Sequence, residues 1–204
     1  MKIGLNIGAG TGESNHLFSD FDIIHCFEPA NFSFKKLELL NQDNLVLHNY
    51  GISDVDGYKM FINFDNFGYS SLLDLDKNGE FYKFLSTKQD IGFDKTTWET
   101  KIKVKRLDTF IIENNIEHIN LIKIDTQGHD LNVVKSLGNF INIVDTIMLE
   151  CQIKNLYKNS FTKDEIILYM KNNNFDLIDV KNNYNSLVSE INWEENLTFK
   201  NNKI

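Results

Sequence analysis

The sequence predicts an α/β fold built on a doubly wound, mainly parallel sheet, and three observations support this prediction. Strand-like runs alternate with helix-like runs over the first 50 residues. A glycine-rich segment, Gly8-Ala9-Gly10-Thr11-Gly12, directly follows the first strand-like run. An acidic residue, Glu28, ends the second such run. Alternating strands and helices are typical of α/β sheets, whose ligand sites lie beyond the carboxyl ends of the strands.

The first five principal elements are predicted to form a βαβαβ unit. Residues 2–7 are predicted as a buried strand because Ile3, Leu5 and Ile7 alternate and glycine follows. The other elements are a short helix at 14–19, a strand at 23–28, a helix capped by Asn31 with Phe34, Leu37 and Leu40 on one face, and a strand at 45–50. Because crossover connections are right-handed, we expect these three strands to be parallel.

The rest of the chain is predicted to complete the sheet of one domain spanning residues 1–204. Asp56-Gly57, between strand-like residues, indicates a β-hairpin. Residues 64–100 are the least regular stretch, and we interpret them as an insertion on the substrate side. The elements predicted after it are strands at 102–107, 120–125 and 144–151, helices at 108–115, at 126–138 with Gly138 closing it, and at 161–174 with Thr162 as N-cap, and a final strand pair at 175–180 and 196–200.

Composition argues against several classes of protein. The 204 residues carry a formal net charge of −8 and no block of basic residues, which disfavours a nucleic-acid partner. No apolar run is long enough to span a membrane and no signal peptide is visible, so we expect a cytoplasmic protein without a membrane partner. Cys26 and Cys151 lie in apolar segments, and we interpret them as free buried thiols.

The glycine-rich segment indicates a ligand that approaches the backbone closely. A dinucleotide fingerprint requires a glycine at position 13, where this sequence has Glu13. A carboxylate there would repel a pyrophosphate at a helix N-terminus. The spacing therefore favours a nucleoside cofactor without phosphate, S-adenosylmethionine, whose ribose hydroxyls would donate to Glu28. The structural alternative is that residues 8–12 form only a strand-to-helix turn and that Glu28 is a solvated strand end.

Several motifs, taken in order, resemble the FkbM family of S-adenosylmethionine-dependent methyltransferases over roughly residues 3–151. They are Asn6-Ile7-Gly8-Ala9-Gly10-Thr11-Gly12, Phe27-Glu28-Pro29, Ile52-Ser53-Asp54 followed by Gly57, Tyr69-Ser70-Ser71-Leu72, Leu107-Asp108 and Ile122-Lys123-Ile124-Asp125-Thr126-Gln127-Gly128-His129-Asp130. The resemblance implies a class I methyltransferase (Rossmann-like) fold, with a seven-stranded, mostly parallel sheet, one antiparallel strand near the end, and helices on both faces.

The same resemblance implies where the cofactor and the acceptor bind. The cofactor-binding residues would be Asn6, Gly8, Ala9, Gly10, Gly12, Glu28, Pro29, Ser53, Asp54 and Asp125. Ser70 and Ser71 would line the side of the acceptor, a hydroxyl of a sugar, a glycan or a small metabolite. The sequence departs from the family pattern at Asn6, where Asp is usual, at Gly10, where Asn is usual, and at Asp130, where Glu is usual.

Methyl transfer to a hydroxyl is expected to need a base, because a hydroxyl is a poor nucleophile at neutral pH. We predict that Asp125 is required and that His129 accepts the proton, since a neutral imidazole takes up a proton readily at pH 7. The structural interpretations are that Asp125 only holds a backbone amide or the cofactor and that His129 is a solvated loop residue. Asp125, Asp130 and Glu150 are carboxylates of the kind that ligate a hard cation, but their scattered positions give a divalent metal ion little support.

Two alternatives to a methyltransferase stay open at this point. One is a binding module that retains S-adenosylmethionine but has lost catalysis, which the substitution at Asn6 allows. The other is a nicotinamide-dependent oxidoreductase, which the missing glycine at position 13 disfavours. The identity of the acceptor would depend on residues 64–100 and 181–195, where the sequence shows no readable chemistry, and nothing in the sequence predicts the oligomeric state.

Overall fold

Ten strands and five α-helices make up the described part of the chain, residues 1–64, 67–87, 97–182 and 192–203 of a computed structural model. The strands are β1 (Ile3–Ile7), β2 (Ile23–Phe27), β3 (Leu45–His48), β4 (Gly51–Ile52), β5 (Gly57–Phe64), β6 (Thr97–Lys105), β7 (Ile119–Ile124), β8 (Val144–Gln152), β9 (Phe175–Asn182) and β10 (Glu194–Asn201). The helices are α1 (Asn31–Glu38), α2 (Glu80–Ser86), α3 (Leu107–Glu113), α4 (Asp130–Lys135) and α5 (Lys163–Asn172). No described helix is long and apolar enough to cross a membrane.

Seven of these strands form one sheet in the order β3-β2-β1-β7-β8-β10-β9. Strands β3, β2, β1, β7 and β8 pair in parallel, whereas β10 is antiparallel to both β8 and β9. The predicted seven-stranded, mostly parallel sheet with one antiparallel strand near the end is therefore confirmed. The direction of winding reverses between β1 and β7, which is where an open α/β sheet forms its ligand crevice.

Apolar residues cover both faces of this sheet, as alternation along β1 requires. Ile3, Leu5 and Ile7 belong to the main core, together with residues of α3, α4 and α5. The intervening Gly4 faces Phe18 on the other side, where a Cβ atom would lie 2.5 Å from the Phe18 ring. The second cluster, on that other side, contains Phe18, Ile24, Cys26 and Leu37 of α1.

A second, three-stranded sheet corrects the predicted hairpin. Its order is β4-β6-β5, so the segments on either side of Asp56-Gly57 both pair with β6 and not with each other. The Asp56 carboxylate explains the difference, because it accepts hydrogen bonds from the Arg106 amide at 2.9 Å and the Thr109 hydroxyl at 2.9 Å. The turn is thereby tied to the start of α3.

Several predicted boundaries shift in the structure. The stretch 64–100 is more regular than expected, since it holds α2 and the first residues of β6, and it lies partly outside the described residues. The N-cap of α1 is Ala30 rather than Asn31, which is the first helical residue. Thr162 does cap α5, in a capping box with Glu165. Cys26 and Cys151 are free and buried, as predicted.

Candidate functional site

A cleft of about 490 Å³ opens at the carboxyl ends of β1, β2, β7 and β8. The glycine-rich segment after β1 lines one end of this cleft, and the turn after β5 lines another part. Five carboxyl groups line it, those of Glu13, Glu28, Asp125, Glu150 and Glu194, while no lysine, arginine or histidine does so among the described residues. The cleft is therefore strongly acidic.

Backbone packing fixes the glycine-rich segment at the mouth of the cleft. Gly8 has a φ of +74°, and a Cβ atom there would lie 1.8 Å from the carbonyl oxygen of Asp125. Glycine is therefore required at position 8 because the backbone after β7 passes so close, and not because of a ligand. Gly10 differs, because its φ is +56° and a Cβ atom would approach only the flexible carboxylate of Glu13, at 3.0 Å. A side chain at Gly10 would therefore occupy cleft space.

Glu28 joins this segment to the end of β2. Its Oε2 accepts a hydrogen bond from the Gly10 amide at 2.8 Å, and its Oε1 accepts one from the Ala30 amide at 2.7 Å. Glu28 is only 6% exposed, and this burial raises the pKa of its carboxyl group to about 7 despite the two amide donors. Each oxygen keeps a second lone pair, so the carboxyl group can accept further hydrogen bonds from a ligand.

Asp125 and Gln127, at the end of β7, line the middle of the cleft. The Gln127 amide donates to Asp125 Oδ1 at 3.0 Å and to Glu150 Oε2 at 2.8 Å. The Tyr157 hydroxyl lies 3.2 Å from Gln127 Oε1 and donates to the Tyr69 carbonyl oxygen at 2.6 Å. These contacts hold Asp125 and Glu150 on either side of one amide group.

The structure brings together about half of the predicted site. The predicted residues that line the cleft are Gly8, Ala9, Gly10, Glu28, Pro29, Ser70 and Asp125, with Glu150 from the metal candidates. The predicted residues that do not line it are Asn6, Gly12, Ser53, Asp54, Ser71, His129 and Asp130. Ser70 Oγ accepts a hydrogen bond from the Phe64 amide at 3.1 Å, whereas Ser71 is fully buried and donates to the Gln127 carbonyl oxygen at 2.8 Å.

Asn6 and Gly12 support the site from behind. Asn6 is 1% exposed and donates from Nδ2 to Asn15 Oδ1 at 3.0 Å. Gly12 has a φ of +98°, and a Cβ atom there would lie 2.4 Å from a Leu40 methyl group. Both residues serve the packing of the loop and of α1 rather than the surface of the cleft.

His129 is buried behind the cleft in a network with Ser53 and Asp54. It is 3% exposed, its Nε2 lies 3.0 Å from Ser53 Oγ, and its Nδ1 lies 3.1 Å from Asn132 Nδ2. Burial, followed by the charge of Lys59, lowers the pKa of His129 to about 4. The imidazole is neutral at pH 7 as predicted, but its position gives the proposed contact with an acceptor no support.

The metal candidates do not gather around a cation. Asp130 accepts hydrogen bonds from the Thr126 and Gly128 amides, each at 3.0 Å, and so closes the turn between β7 and α4. Among the described residues, no group of three or more histidine, cysteine, aspartate or glutamate side chains is arranged to hold a metal ion.

Sequence reasoning missed Gln127 and Glu194 as site residues. Gln127 lies in the segment 122–130 that resembles the family, two residues after Asp125. Its position just beyond the end of a strand could therefore have identified it as a site residue. Glu194 had no such signal, because it reaches the cleft only through the pairing of β10 with β8.

Three comparisons place the chain among known proteins. A curated relative, "Methyltransferase 1" of Beauveria bassiana (strain ARSEF 2860), is 26% identical over 154 residues, which cover 72% of this chain and 61% of the relative. The crystal structure of methyltransferase FkbM from Methylobacillus flagellatus KT aligns with a TM-score of 0.59 and 14% identity, covering 97% of this chain and 43% of that one. Magnesium protoporphyrin IX methyltransferase (ChlM) from Synechocystis PCC 6803, solved with bound SAM, aligns with a TM-score of 0.51 and 9% identity, covering 97% and 69%.

These structural similarities confirm the predicted class I methyltransferase fold. The chain spans about three fifths of the curated relative and less than half of the FkbM crystal structure. A family model described as "Methyltransferase FkbM domain" matches residues 6–177, which is most of the chain. The chain therefore belongs to the FkbM methyltransferase domain family.

Proposed function

We propose that this chain is an S-adenosylmethionine-dependent methyltransferase that methylates a hydroxyl group of a sugar, a glycan or a small metabolite. The observation that carries the proposal is the hydrogen bond from Gly10 to Glu28 inside the cleft. It brings the glycine-rich segment after β1 beside the acidic end of β2, the two features from which a nucleoside site in this kind of sheet is built. Membership of the FkbM family supports the same reaction.

The residues of the cleft fit the proposed cofactor. Glu28 offers acceptor lone pairs to two ribose hydroxyls, and Gly8, Ala9, Gly10 and Pro29 leave room beside it. Glu13 and the lack of a basic lining residue among the described ones disfavour a pyrophosphate, which weakens the nicotinamide alternative. When bound, S-adenosylmethionine supplies an electrophilic methyl group on a sulfonium centre.

The chain itself must orient the acceptor and remove its proton. Asp125 is placed for this task because it lines the cleft and is held by Gln127. The sequence prediction that His129 accepts the proton receives no support from its buried position, so we favour Asp125. His129 then acts through Ser53 and Asn132, by fixing the turn at the start of α4.

Calorimetry and a transfer assay test the proposal. The purified protein is titrated with S-adenosylhomocysteine and with NADH, and then incubated with radiolabelled S-adenosylmethionine and pools of glycans and metabolites. We expect S-adenosylhomocysteine to bind, NADH to fail, and label to enter a hydroxyl-bearing product. Binding without transfer would favour the non-catalytic module, and lack of S-adenosylhomocysteine binding would refute the proposal.

A further inference from the structure

Gln127, just beyond the end of β7, has a backbone conformation that residues with side chains rarely adopt. Its φ is +54°, in the left-handed region. A residue other than glycine keeps this conformation only where surrounding contacts fix it, and such residues are concentrated at functional sites. The next residue, Gly128, has a φ of +88°, and a Cβ atom there would lie 3.0 Å from the Tyr157 ring. The contacts that hold Gln127 in this turn therefore point to its role.

The side-chain amide of Gln127 contacts three partners. Its nitrogen lies 3.0 Å from Asp125 Oδ1 and 2.8 Å from Glu150 Oε2, so each of its two protons has one carboxyl oxygen as acceptor. Its oxygen lies 3.2 Å from the Tyr157 hydroxyl. The reverse orientation would set the amide oxygen against both carboxyl groups, so these contacts fix the orientation of the amide.

Two buried hydroxyl groups connect Gln127 to the segment Tyr69–Ser71, which contains the serines predicted to lie on the acceptor side. The Ser71 hydroxyl donates to the Gln127 carbonyl oxygen at 2.8 Å. The Tyr157 hydroxyl, beside the Gln127 amide, donates to the Tyr69 carbonyl oxygen at 2.6 Å. Tyr69 and Ser70 line the cleft, whereas Ser71 and Tyr157 are buried behind it. Gln127 is therefore fixed by the same segment that forms part of the cleft wall.

The carboxyl group of Asp125 is held from two sides. Gln127 donates to its Oδ1, and the ammonium group of Lys123 lies 3.6 Å from its Oδ2. Lys123 is only 5% exposed and is itself fixed by hydrogen bonds to the Ile124 carbonyl oxygen and to Asn196 Oδ1, each at 3.2 Å. The charge of Lys123 acts in all directions, whereas the hydrogen bond from Gln127 is directional. Gln127 therefore sets the orientation of the carboxyl group in the cleft.

We propose that Gln127 is a positioning residue that joins Asp125 to the segment Tyr69–Ser71, so that the base and the acceptor side of the cleft are held as one unit. The proposal rests on the proposed function, because it gives Asp125 the task of removing the proton of the acceptor. Gln127 acts through Asp125, since both of its amide protons are used by carboxyl oxygens. A displacement of about 1 Å can lower a rate on the order of a hundredfold, so this contact should affect turnover more than binding.

The side-chain amide signals of Gln127 test these contacts without an acceptor. They are assigned in ¹⁵N NMR spectra by their loss in Gln127→Met, and the exposed Gln42 serves as internal reference. We expect the Gln127 protons to exchange with water roughly tenfold or more slowly than those of Gln42, and this protection to fall in Ser71→Ala and in Tyr157→Phe. Exchange as fast as that of Gln42, or protection that both variants leave unchanged, would overturn the link to Tyr69–Ser71.

Two substitutions of Gln127 separate the loss of its amide from the strain of its backbone. Gln127→Met keeps the length of the side chain without a donor, whereas Gln127→Gly removes the side chain and relieves the positive φ. Both should lower kcat per folded molecule by roughly tenfold or more in the transfer assay, with S-adenosylhomocysteine affinity unchanged. Asn115→Gly is the matched control, because it relieves a φ of +51° at an exposed residue after α3 that does not line the cleft, and its turnover should stay unchanged.

The double variant Asp125→Asn/Gln127→Met distinguishes a positioning role from a merely structural one. If Gln127 acts through Asp125, Gln127→Met should cause no further loss of turnover in the Asp125→Asn background. The same further loss in both backgrounds, or equal turnover of Gln127→Met and the natural protein, would overturn the proposal and leave the methyltransferase intact. If the natural protein neither binds S-adenosylhomocysteine nor transfers label, the proposed function fails, while the amide protection of Gln127 still supports or overturns its link to Tyr69–Ser71.

Discussion

The Gly10 amide donates a hydrogen bond of 2.8 Å to Glu28 Oε2, so the segment after the first strand and the end of the second are held by one contact. The same carboxyl group also accepts the Ala30 amide at the start of α1. Three backbone segments therefore depend on one side chain, and its removal should affect both their arrangement and any ligand that they surround.

Glu28→Ala is predicted to weaken S-adenosylmethionine binding at least tenfold. Each hydrogen bond from a ribose hydroxyl to a charged acceptor is worth roughly 1.5–3 kcal/mol, and about 1.4 kcal/mol corresponds to a factor of ten. Calorimetry with S-adenosylmethionine and with an analogue that lacks both hydroxyls measures the effect. The two ligands should differ strongly for the natural protein and little for the variant; strong discrimination by Glu28→Ala would disprove the contact.

Cofactor affinity is predicted to increase with pH through the neutral range. The pKa of Glu28 is about 7 in the free protein, and the ionised carboxylate is the better acceptor for ribose hydroxyls, so binding favours loss of the proton. One such group makes the affinity about tenfold weaker at pH 6 than at pH 8. Methylthioadenosine is the suitable ligand because it keeps the ribose and lacks the titrating amino acid.

Glu28→Gln provides the control for this pH dependence, since it keeps the shape of the side chain without the titrating group. The affinity of this variant should be nearly constant between pH 6 and pH 8. A slope that persists in Glu28→Gln would assign the proton to another group in the cleft.

Substitutions at the two glycines are predicted to act differently. Gly10→Val should abolish detectable S-adenosylmethionine binding while the protein still folds, because the new side chain enters the cleft and meets only Glu13. Gly8→Ala should instead lower the melting temperature sharply, since its Cβ atom would lie 1.8 Å from the Asp125 carbonyl oxygen. Gly57→Val, also at positive φ but with open space around it, controls for backbone strain alone. Undiminished binding by Gly10→Val would remove the glycine-rich segment from the cofactor site.

Substitution of Asp125 is predicted to impair catalysis, whereas substitution of His129 is predicted to impair stability. Asp125→Asn should lower turnover roughly a hundredfold or more, the usual contribution of a general base. His129→Ala should act first on the free energy of unfolding, because it removes the buried contacts to Ser53 and Asn132. Turnover per folded molecule and urea unfolding measure the two effects. A hundredfold loss of turnover in a stable His129→Ala protein would restore the role predicted from sequence.

Acid is predicted to destabilise the protein through the contacting pair of buried His25 and half-buried His48. Burial, and then the charges of His25 and Lys105, lowers the pKa of His48 to about 4, so the unfolded chain binds a proton more readily than the folded one. Stability is fully present above about pH 6.5 and is lost as the pH falls toward 4. For a shift of this size, the loss at pH 5 is on the order of 2 kcal/mol. Urea unfolding of the natural protein and of His48→Phe at pH 7 and pH 5 tests this, and an equal acid loss in both would contradict it.

The parallel part of the sheet was predictable because its strands are short apolar runs ended by glycine, proline or an acidic residue. The prediction of a hairpin at Asp56-Gly57 was wrong. A local turn signal cannot show that β6, about forty residues later, pairs with the segments on both sides of the turn. The same limit applies to the site. The places of Asp125 and Glu28 in the cleft could be predicted because each residue ends a strand. The buried position of His129 could not, because it involves a contact with Ser53, which is distant in sequence. The place of Glu194 in the cleft could not be predicted either, because it depends on the pairing of β10 with β8.

The position of β10 between β8 and β9 has a consequence for folding. Strand β9 precedes β10 in the chain but is bonded to the sheet only through it among the described strands. Release of β10 from β8 therefore releases β9 as well, so the two strands can detach as one unit, and they can join the sheet after the five parallel strands that precede them have paired. Amide hydrogen exchange should show β9 and β10 opening together, with Glu194 leaving the cleft each time that unit detaches.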